Sequence, residues 1–478
     1  MAGTNTPQEL LSVFRIIDES REAIVASLKE LVAIPSVSAQ KEHRTDLDRC
    51  VEWSKKLLEG EGVCVDLEPL DSHRYPDGSH LPAPSLLLGC AGDDKEKKTV
   101  LAYAYLDVHP AEKSDGWHTD PFVPTEKDGK LYGRGSAAGK GPAVAWIWAL
   151  RAFNRAGVKL PVNIKFVFDP MKEVGSEGFL EYLKSERASD FFDDIRTVVI
   201  SGGCWLSRNK PCLSYGLRGL CYFQIQVTCA TSDLHSGVYG GTLIEAMPDV
   251  THLLNSLVDD DGCITIPDFN DDVDDLRAEE ARMYENIDFS RNAYREELGV
   301  GVLPHEDKKE TLMHRWRCPS LSIHGIHGDY CGPGEKAVIP GRVTGKFSVR
   351  TVPYQKSQKV CECVTRHVER EFARRNSPNK LKITASTCSE PWIVDPRSAH
   401  FRSAASAVKH VYGTKPDLIR SGGTVAAAAA LRDHVTANVI QMPISASDGY
   451  SENEYIPIED LVRGAKLFAA YCYEIAKM

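Results

Sequence analysis

The start of this chain lacks a basic segment followed by an apolar run. Met1-Ala2-Gly3-Thr4-Asn5-Thr6-Pro7-Gln8 carries neither, so no secretory signal is expected. No apolar stretch approaches the roughly 20 residues that a membrane-spanning helix needs, and the Ala-rich segment from Val425 to Leu431 is far too short. Excess positive charge is also missing: 57 Lys and Arg stand against 67 Asp and Glu, a net charge of -10. That balance excludes a general nucleic-acid or anionic-membrane binder. The fourteen cysteines show no zinc-finger spacing. Without a leader they read as reduced, buried thiols in a cytoplasmic protein and not as a disulfide framework. Cys361-Glu362-Cys363 with His367 comes nearest to a metal cluster, yet Val360, Val364 and His367 recur at helical spacing, so this segment reads as a helix.

What is present is globular. With 478 residues, 42% hydrophobic and 26% charged, the chain is long enough for two or three domain-sized units. Leu10, Phe14 and Ile17 behind Pro7 predict an opening amphipathic helix, and Ile24, Leu28 and Leu31 predict a second. Strand-like runs at 85–88, 99–103, 162–168 and 197–200 alternate with helical stretches at 141–156 and 178–184. This alternation predicts an α/β domain with a largely parallel sheet. From about Leu213 the pattern becomes α+β, with strands near 222–227, 319–323 and 345–349 and helices over 242–257 and 358–374. The acidic runs 259–261 and 268–280 lack calcium-loop spacing and read as solvated surface. Helices near 404–412 and 458–475 return to the first style. The expected organisation is a discontinuous α/β domain, 1–214 plus 390–478, interrupted by an inserted α+β unit, 215–389.

Several motifs carry chemistry. Tyr132-Gly133-Arg134-Gly135-Ser136 leads to Lys140-Gly141-Pro142, and Met171-Lys172-Glu173-Val174-Gly175-Ser176-Glu177-Gly178 follows. Later come Tyr215-Gly216-Leu217-Arg218-Gly219, Asp233-Leu234-His235-Ser236-Gly237, His314-Arg315-Trp316-Arg317, Val338-Ile339-Pro340, Lys346-Phe347-Ser348-Val349-Arg350 and Ser451-Glu452-Asn453-Glu454. Gly133 to Lys140 is not a phosphate loop, because Gly135 and Gly139 are one residue too close and Gly141 follows Lys140. In this order the motifs resemble the M20 metallopeptidases, specifically the carnosine dipeptidase and cytosolic non-specific dipeptidase branch, over nearly the whole chain. The resemblance implies a zinc-peptidase-like α/β domain with an inserted lid domain through which two copies form a homodimer.

In that family two zinc or manganese ions share a bridging carboxylate and a hydroxide, and a glutamate takes the proton from the bridging water. The resemblance maps the metal-ligand positions onto Tyr105, Ala138, Glu173, Gly202 and Tyr450, where only Glu173 is a competent ligand. Asp107 would orient a histidine that is here Tyr105. The general-base position is Lys172, and an ammonium cannot accept a proton while charged. These substitutions predict that no residue is catalytic, that no metal cofactor is bound, and that the chain is an inactive homologue. A relocated ion site from His109, Glu173, Cys204 and Asp448 is the counter-reading, with His109 and His118 otherwise loop histidines. Lys172 is expected to compensate buried Asp107 and Glu173 in place of the metals. Substrate-grip positions are better kept. His235 resembles a histidine that reaches into the partner subunit's site, Arg350 one that binds a peptide carboxylate, and Thr424 follows a Gly422-Gly423 turn that contacts substrate.

Three functions follow from this reading. The leading expectation is a catalytically silent homologue acting through protein–protein contacts, as a homodimer, a hetero-oligomer or part of a larger assembly. The others are a non-hydrolytic binder of dipeptides or amino acids using Arg350 and His235, and a metallodipeptidase with a rebuilt metal site.

Overall fold

The computed structural model describes residues 6–75, 78–328, 334–436, 438–447 and 449–478. Its larger sheet has nine strands. Eight run in the order Cys64–Glu68, Leu86–Ala91, Asn163–Asp169, Thr99–Tyr105, Ile195–Ile200, Val439–Gln441, Cys212–Leu217 and Trp392–Ile393; Asp417–Ser421 also pairs with Cys212–Leu217. The strand Thr99–Tyr105 is central and buried along its whole length. Its near-continuous apolar sequence suits a strand covered on both faces. Val100, Ala102 and Ala104 point to one core, and Leu101, Tyr103 and Tyr105 to the other, as the two-residue period requires.

Lys140–Ala156, Ile458–Ala476, Ala399–Tyr412 and Gln8–Glu19 are joined to the first core. Trp146 stacks on Phe468 at 4.2 Å and donates to the Ser201 hydroxyl at 2.6 Å, so its indole N–H is not left unpaired in the interior. Glu177–Leu183 and Ala426–His434 contribute to the second core. The expected largely parallel sheet is in fact mixed. Thr99–Tyr105 runs parallel to both neighbours, whereas Leu86–Ala91 is antiparallel to Asn163–Asp169 and to Cys64–Glu68. The parallel centre sets the geometry, because strand ends that leave the sheet side by side bring their following loops together.

The second sheet is wholly antiparallel, in the order Ser320–His327, Arg342–Arg350, Leu220–Thr228, Lys380–Ser389. Phe223, Ile225 and Val227 alternate inward beneath the helices Ala246–Asn255 and Ser357–Arg374. The first of these helices starts four residues later than its hydrophobic pattern suggested. Pro248 explains the delay: it fits the first turn but would break a helix begun at Thr242.

His400 is buried in the helix Ala399–Tyr412, with Nδ1 3.1 Å from the Ser398 hydroxyl. Burial pushes its pKa down to about 4. The folded state then binds fewer protons than the unfolded state between pH 6.5 and 4, so stability falls as the pH drops through that window, by on the order of 3 kcal/mol. Denaturant unfolding at several pH values is expected to show this acid loss in the native chain and a shallower slope in His400→Gln.

Candidate functional site

The site lies where the parallel strands end. After Thr99–Tyr105 the chain continues through Asp107 to His109, and these three residues alternate at the spacing of an extended chain. The fully buried Asp107 carboxylate accepts from the Ser38 hydroxyl at 2.6 Å, from the Lys172 backbone N–H at 3.1 Å and from the Glu173 backbone N–H at 2.8 Å. One carboxylate therefore ties two other segments, at Ser38 and at 172–173, to its own. Burial, then the charge of Glu173, pushes the Asp107 pKa up.

Lys172 and Glu173 form the short turn after the strand Asn163–Asp169. Asp169 holds the root of that turn, accepting from Tyr103 Oη at 2.8 Å, Ser176 Oγ at 2.5 Å and the Met171 N–H at 2.9 Å. The Lys172 ammonium lies 3.4 Å from Glu173 Oε2, 2.5 Å from the Tyr450 hydroxyl and 4.4 Å from the Tyr105 ring centre. Burial alone would lower its pKa, but Glu173 and Tyr450 outweigh that effect and raise it. Burial likewise pushes Glu173 up, and Lys172 with His109 more than reverses it. His109 Nε2 is 2.9 Å from Glu173 Oε2, and its ring packs edge-on to Tyr450 at 5.1 Å.

The five mapped positions do converge. A Cβ on Gly202 would stand 3.2 Å from the Tyr105 ring, one on Gly139 would clash with it, and one on Gly449 would overlap Ala138. The loop carrying Ala138 is tied down by Glu454, whose carboxylate accepts from the N–H groups of Gly135, Ala137 and Ala138 at 2.8–3.0 Å and from Arg134 at 3.2 Å. Burial pushes the Glu454 pKa up to about 7 despite these donors. Lys140 faces away from the site: its buried ammonium donates to the carbonyls of Leu31 and Ile34 at the end of the helix Arg21–Val32.

The donors do not fit a two-ion centre. Each zinc takes about four N, O or S ligands. The Tyr105 ring fills the space beside Gly202, Ala138 offers no donor, and Lys172 brings a positive charge to Glu173. Of the relocated set, His109 and Glu173 meet. Cys204 instead lies within electrostatic reach of Cys212, and Asp448 lies outside the described residues.

A second cluster holds the grip residues. Arg350 Nη1 donates to Thr424 Oγ1 at 2.7 Å, and Thr424 donates to the Arg218 carbonyl at 2.8 Å. Gly422 admits the Arg218 guanidinium, which would lie 2.8 Å from any Cβ there. Arg218 is pushed down to about 10, by burial first and then by the charge of Arg350. Arg218 donates from Nε to the Gly422 carbonyl at 3.1 Å and from Nη1 to the Ser320 hydroxyl at 3.0 Å, so its guanidinium is held close enough to Arg350 for the two charges to repel. Tyr450 is within electrostatic reach of Arg350 and links the two clusters. His235 is apart from both: its exposed ring accepts from the Gly237 N–H at 3.1 Å.

Arg218 and Glu454 were not singled out as site residues from the sequence, whereas His109 entered only as a donor of the relocated ion site. The two-residue spacing of Tyr105, Asp107 and His109 was the available signal for the last; the other two had none beyond their motifs.

Because Lys172 is the ammonium compensating Glu173, Lys172→Met is expected to destabilise the fold by about 3 kcal/mol. Adding Glu173→Gln is expected to restore most of that loss. Denaturation midpoints test this; an unchanged midpoint in the single variant would contradict the pairing.

Residues 101–474 match the model of Peptidase family M20/M25/M40. The Beta-Ala-His dipeptidase of Homo sapiens is 42% identical over 476 residues, covering 99% of this chain and 94% of that protein. The Cys-Gly metallodipeptidase of Schizosaccharomyces pombe is 38% identical, covering 98% of each. The crystal structure of human carnosine dipeptidase 1 superposes with a TM-score of 0.91 at 41% identity, over 99% of this chain and 100% of that one. The dipeptidase Dug1p of Saccharomyces cerevisiae gives 0.93 at 36% identity, over 98% and 99%. These findings bear out the α/β M20-type architecture. They overturn the expectations of an inactive homologue acting only through protein contacts, of no enzyme activity and of no metal cofactor, because relatives this similar over their full length are named dipeptidases and metallodipeptidases. Those expectations rested on replacements at Tyr105, Ala138, Lys172, Gly202 and Tyr450 taken together, and gave too little weight to the rest of the chain. The chain belongs to the M20 peptidase family.

Proposed function

We propose that the chain is a metallodipeptidase acting on small dipeptides. The observation that carries this reading is the paired cradle of Arg350 and Arg218, braced by Thr424, in a chain about 40% identical to named dipeptidases over its full length. A dipeptide's terminal carboxylate is a planar anion of the kind that guanidinium groups bind in a bidentate manner. Seated there, the peptide would extend past Tyr450 towards Lys172, Glu173 and His109. In this reading Arg350 and Arg218 orient the substrate, and the Lys172 ammonium, with its raised pKa, stays charged and keeps Glu173 ionised. His109 and Glu173, the pair of donors that meet in the cleft, would hold a metal ion, which would supply Lewis-acid activation there.

We also propose a homodimer formed through the inserted unit 215–389, with His235 reaching the partner's cleft. The exposed position of that ring and the resemblance support this reading. No described helix is long and apolar enough to cross a membrane. A cytoplasmic location is proposed on the cysteine content, since the thirteen described cysteines are all free.

The test is hydrolysis of β-Ala-His and Cys-Gly with added Zn²⁺ or Mn²⁺, beside an active relative. Metal-stimulated turnover that a chelator abolishes is expected; no turnover while the relative is active would overturn the proposal. Arg350→Met is expected to raise KM about 10- to 100-fold with little change in kcat, as loss of a charge-assisted hydrogen bond worth about 1.5–3 kcal/mol implies.

A further inference from the structure

Three thiols meet on the second sheet, where Cys221 stands three residues after Arg218 and pairs with Val349. Cys221 and Cys388 are directly opposite each other on the antiparallel strands Leu220–Thr228 and Lys380–Ser389. Cys361 comes down on them from the first turns of the helix Ser357–Arg374. The three sulfur atoms all lie within 4.8 Å of one another, and Cys361 Sγ is 3.5 Å from Cys388 Sγ. Among the described residues this is the one group of three or more His, Cys, Asp or Glu side chains whose donor atoms come that close together.

We propose that Cys221, Cys361 and Cys388 bind a single thiophilic d10 cation, Zn²⁺ or Cu⁺, at a site separate from the peptide cleft. Thiolate ligands stand about 2.3 Å from zinc, which puts neighbouring sulfurs of a tetrahedral shell about 3.8 Å apart. The Cys361–Cys388 spacing of 3.5 Å lies close to that, and the remaining two fall within 4.8 Å. The elements are also held in place. Glu390, two residues after Cys388, accepts from the Ser357 N–H at 3.2 Å and so fastens the start of the helix to the end of the strand. Phe223, Val360 and Val364 pack in the core beside them.

The burial gradient suits metal binding. Cys221 is fully buried, Cys361 is half-buried and Cys388 is exposed. An ion can therefore approach from solvent through Cys388 and keep one coordination position open to water. Cys361 also lines an open surface cleft with Glu362, Arg366 and Glu369. Hydrogen bonds from Cys221 and then Cys361 lower the Cys388 pKa. Binding the cation as thiolates releases the thiol protons to solvent, with no change in oxidation state. A disulfide would use only two of the three sulfurs and would need an oxidant that the protein does not supply.

The test is Co²⁺ titration of reduced protein, followed by sulfur-to-cobalt charge-transfer absorption and by mass-spectrometric mapping of alkylated cysteines. One equivalent producing that absorption and protecting Cys361 and Cys388 from alkylation is expected. Zn²⁺ is expected to displace the cobalt. The signal is expected to vanish in Cys388→Ser and Cys361→Ser, whose circular dichroism checks folding, and to survive in Glu173→Gln, which alters only the cleft. Three outcomes would overturn the proposal: no charge-transfer band, an undiminished band in Cys388→Ser, or a protein recovered only with a Cys361–Cys388 disulfide.

Discussion

Buried negative charge is the constraint around which the cleft is organised. Asp107, Asp169 and Glu454 are all fully buried, and Glu173 is nearly so, at the rim where the central strands end. An uncompensated carboxylate in such a place costs several kcal/mol. Each one here is answered by donors from other segments. Asp107 is held by Ser38 and the turn at 172–173, Asp169 by Tyr103 and Ser176, Glu454 by the loop from Arg134 to Ala138, and Glu173 by Lys172 and His109. The same contacts that neutralise the acids also register the loops against one another. Removing one partner is therefore expected to disturb both stability and the shape of the cleft.

Packing around Tyr105 follows from the same geometry. Its ring occupies the space that a side chain at Gly139 or Gly202 would otherwise claim, and its face receives the Lys172 ammonium. Close packing makes these positions interdependent: a larger residue at 202 would require Tyr105 to move, and a smaller one at 105 would leave a void beside a charged group. The arrangement is a built polar interior and not an accumulation of unrelated substitutions.

Much of the fold was legible because its signals are local. The apolar run Thr99 to Tyr105 and the helical spacing of Leu10, Phe14 and Ile17 need nothing beyond the sequence to be read, and each forms the expected element. The mixed direction of the sheet was not legible, because strand polarity depends on pairings between distant segments such as Leu86–Ala91 with Asn163–Asp169. The same limit applied to the site. The motif positions could be ordered along the chain, but the bond between His109 and Glu173, the cradle of Arg218 beside Arg350 and the meeting of Cys361 with Cys221 and Cys388 are long-range events. The functional expectation failed for a related reason. Reading the replaced ligand and base positions alone gave an inactive protein, whereas the chain is similar over its full length to named dipeptidases.

Substrate orientation by the arginine cradle is the central claim. Its most direct measurement is a comparison of metal-supplemented turnover of a dipeptide with turnover of the same dipeptide carrying a C-terminal amide. Hydrolysis of the free acid, with the amide slower by a factor of about 10 or more, is the predicted result. Equal rates, or no hydrolysis of either, would contradict it.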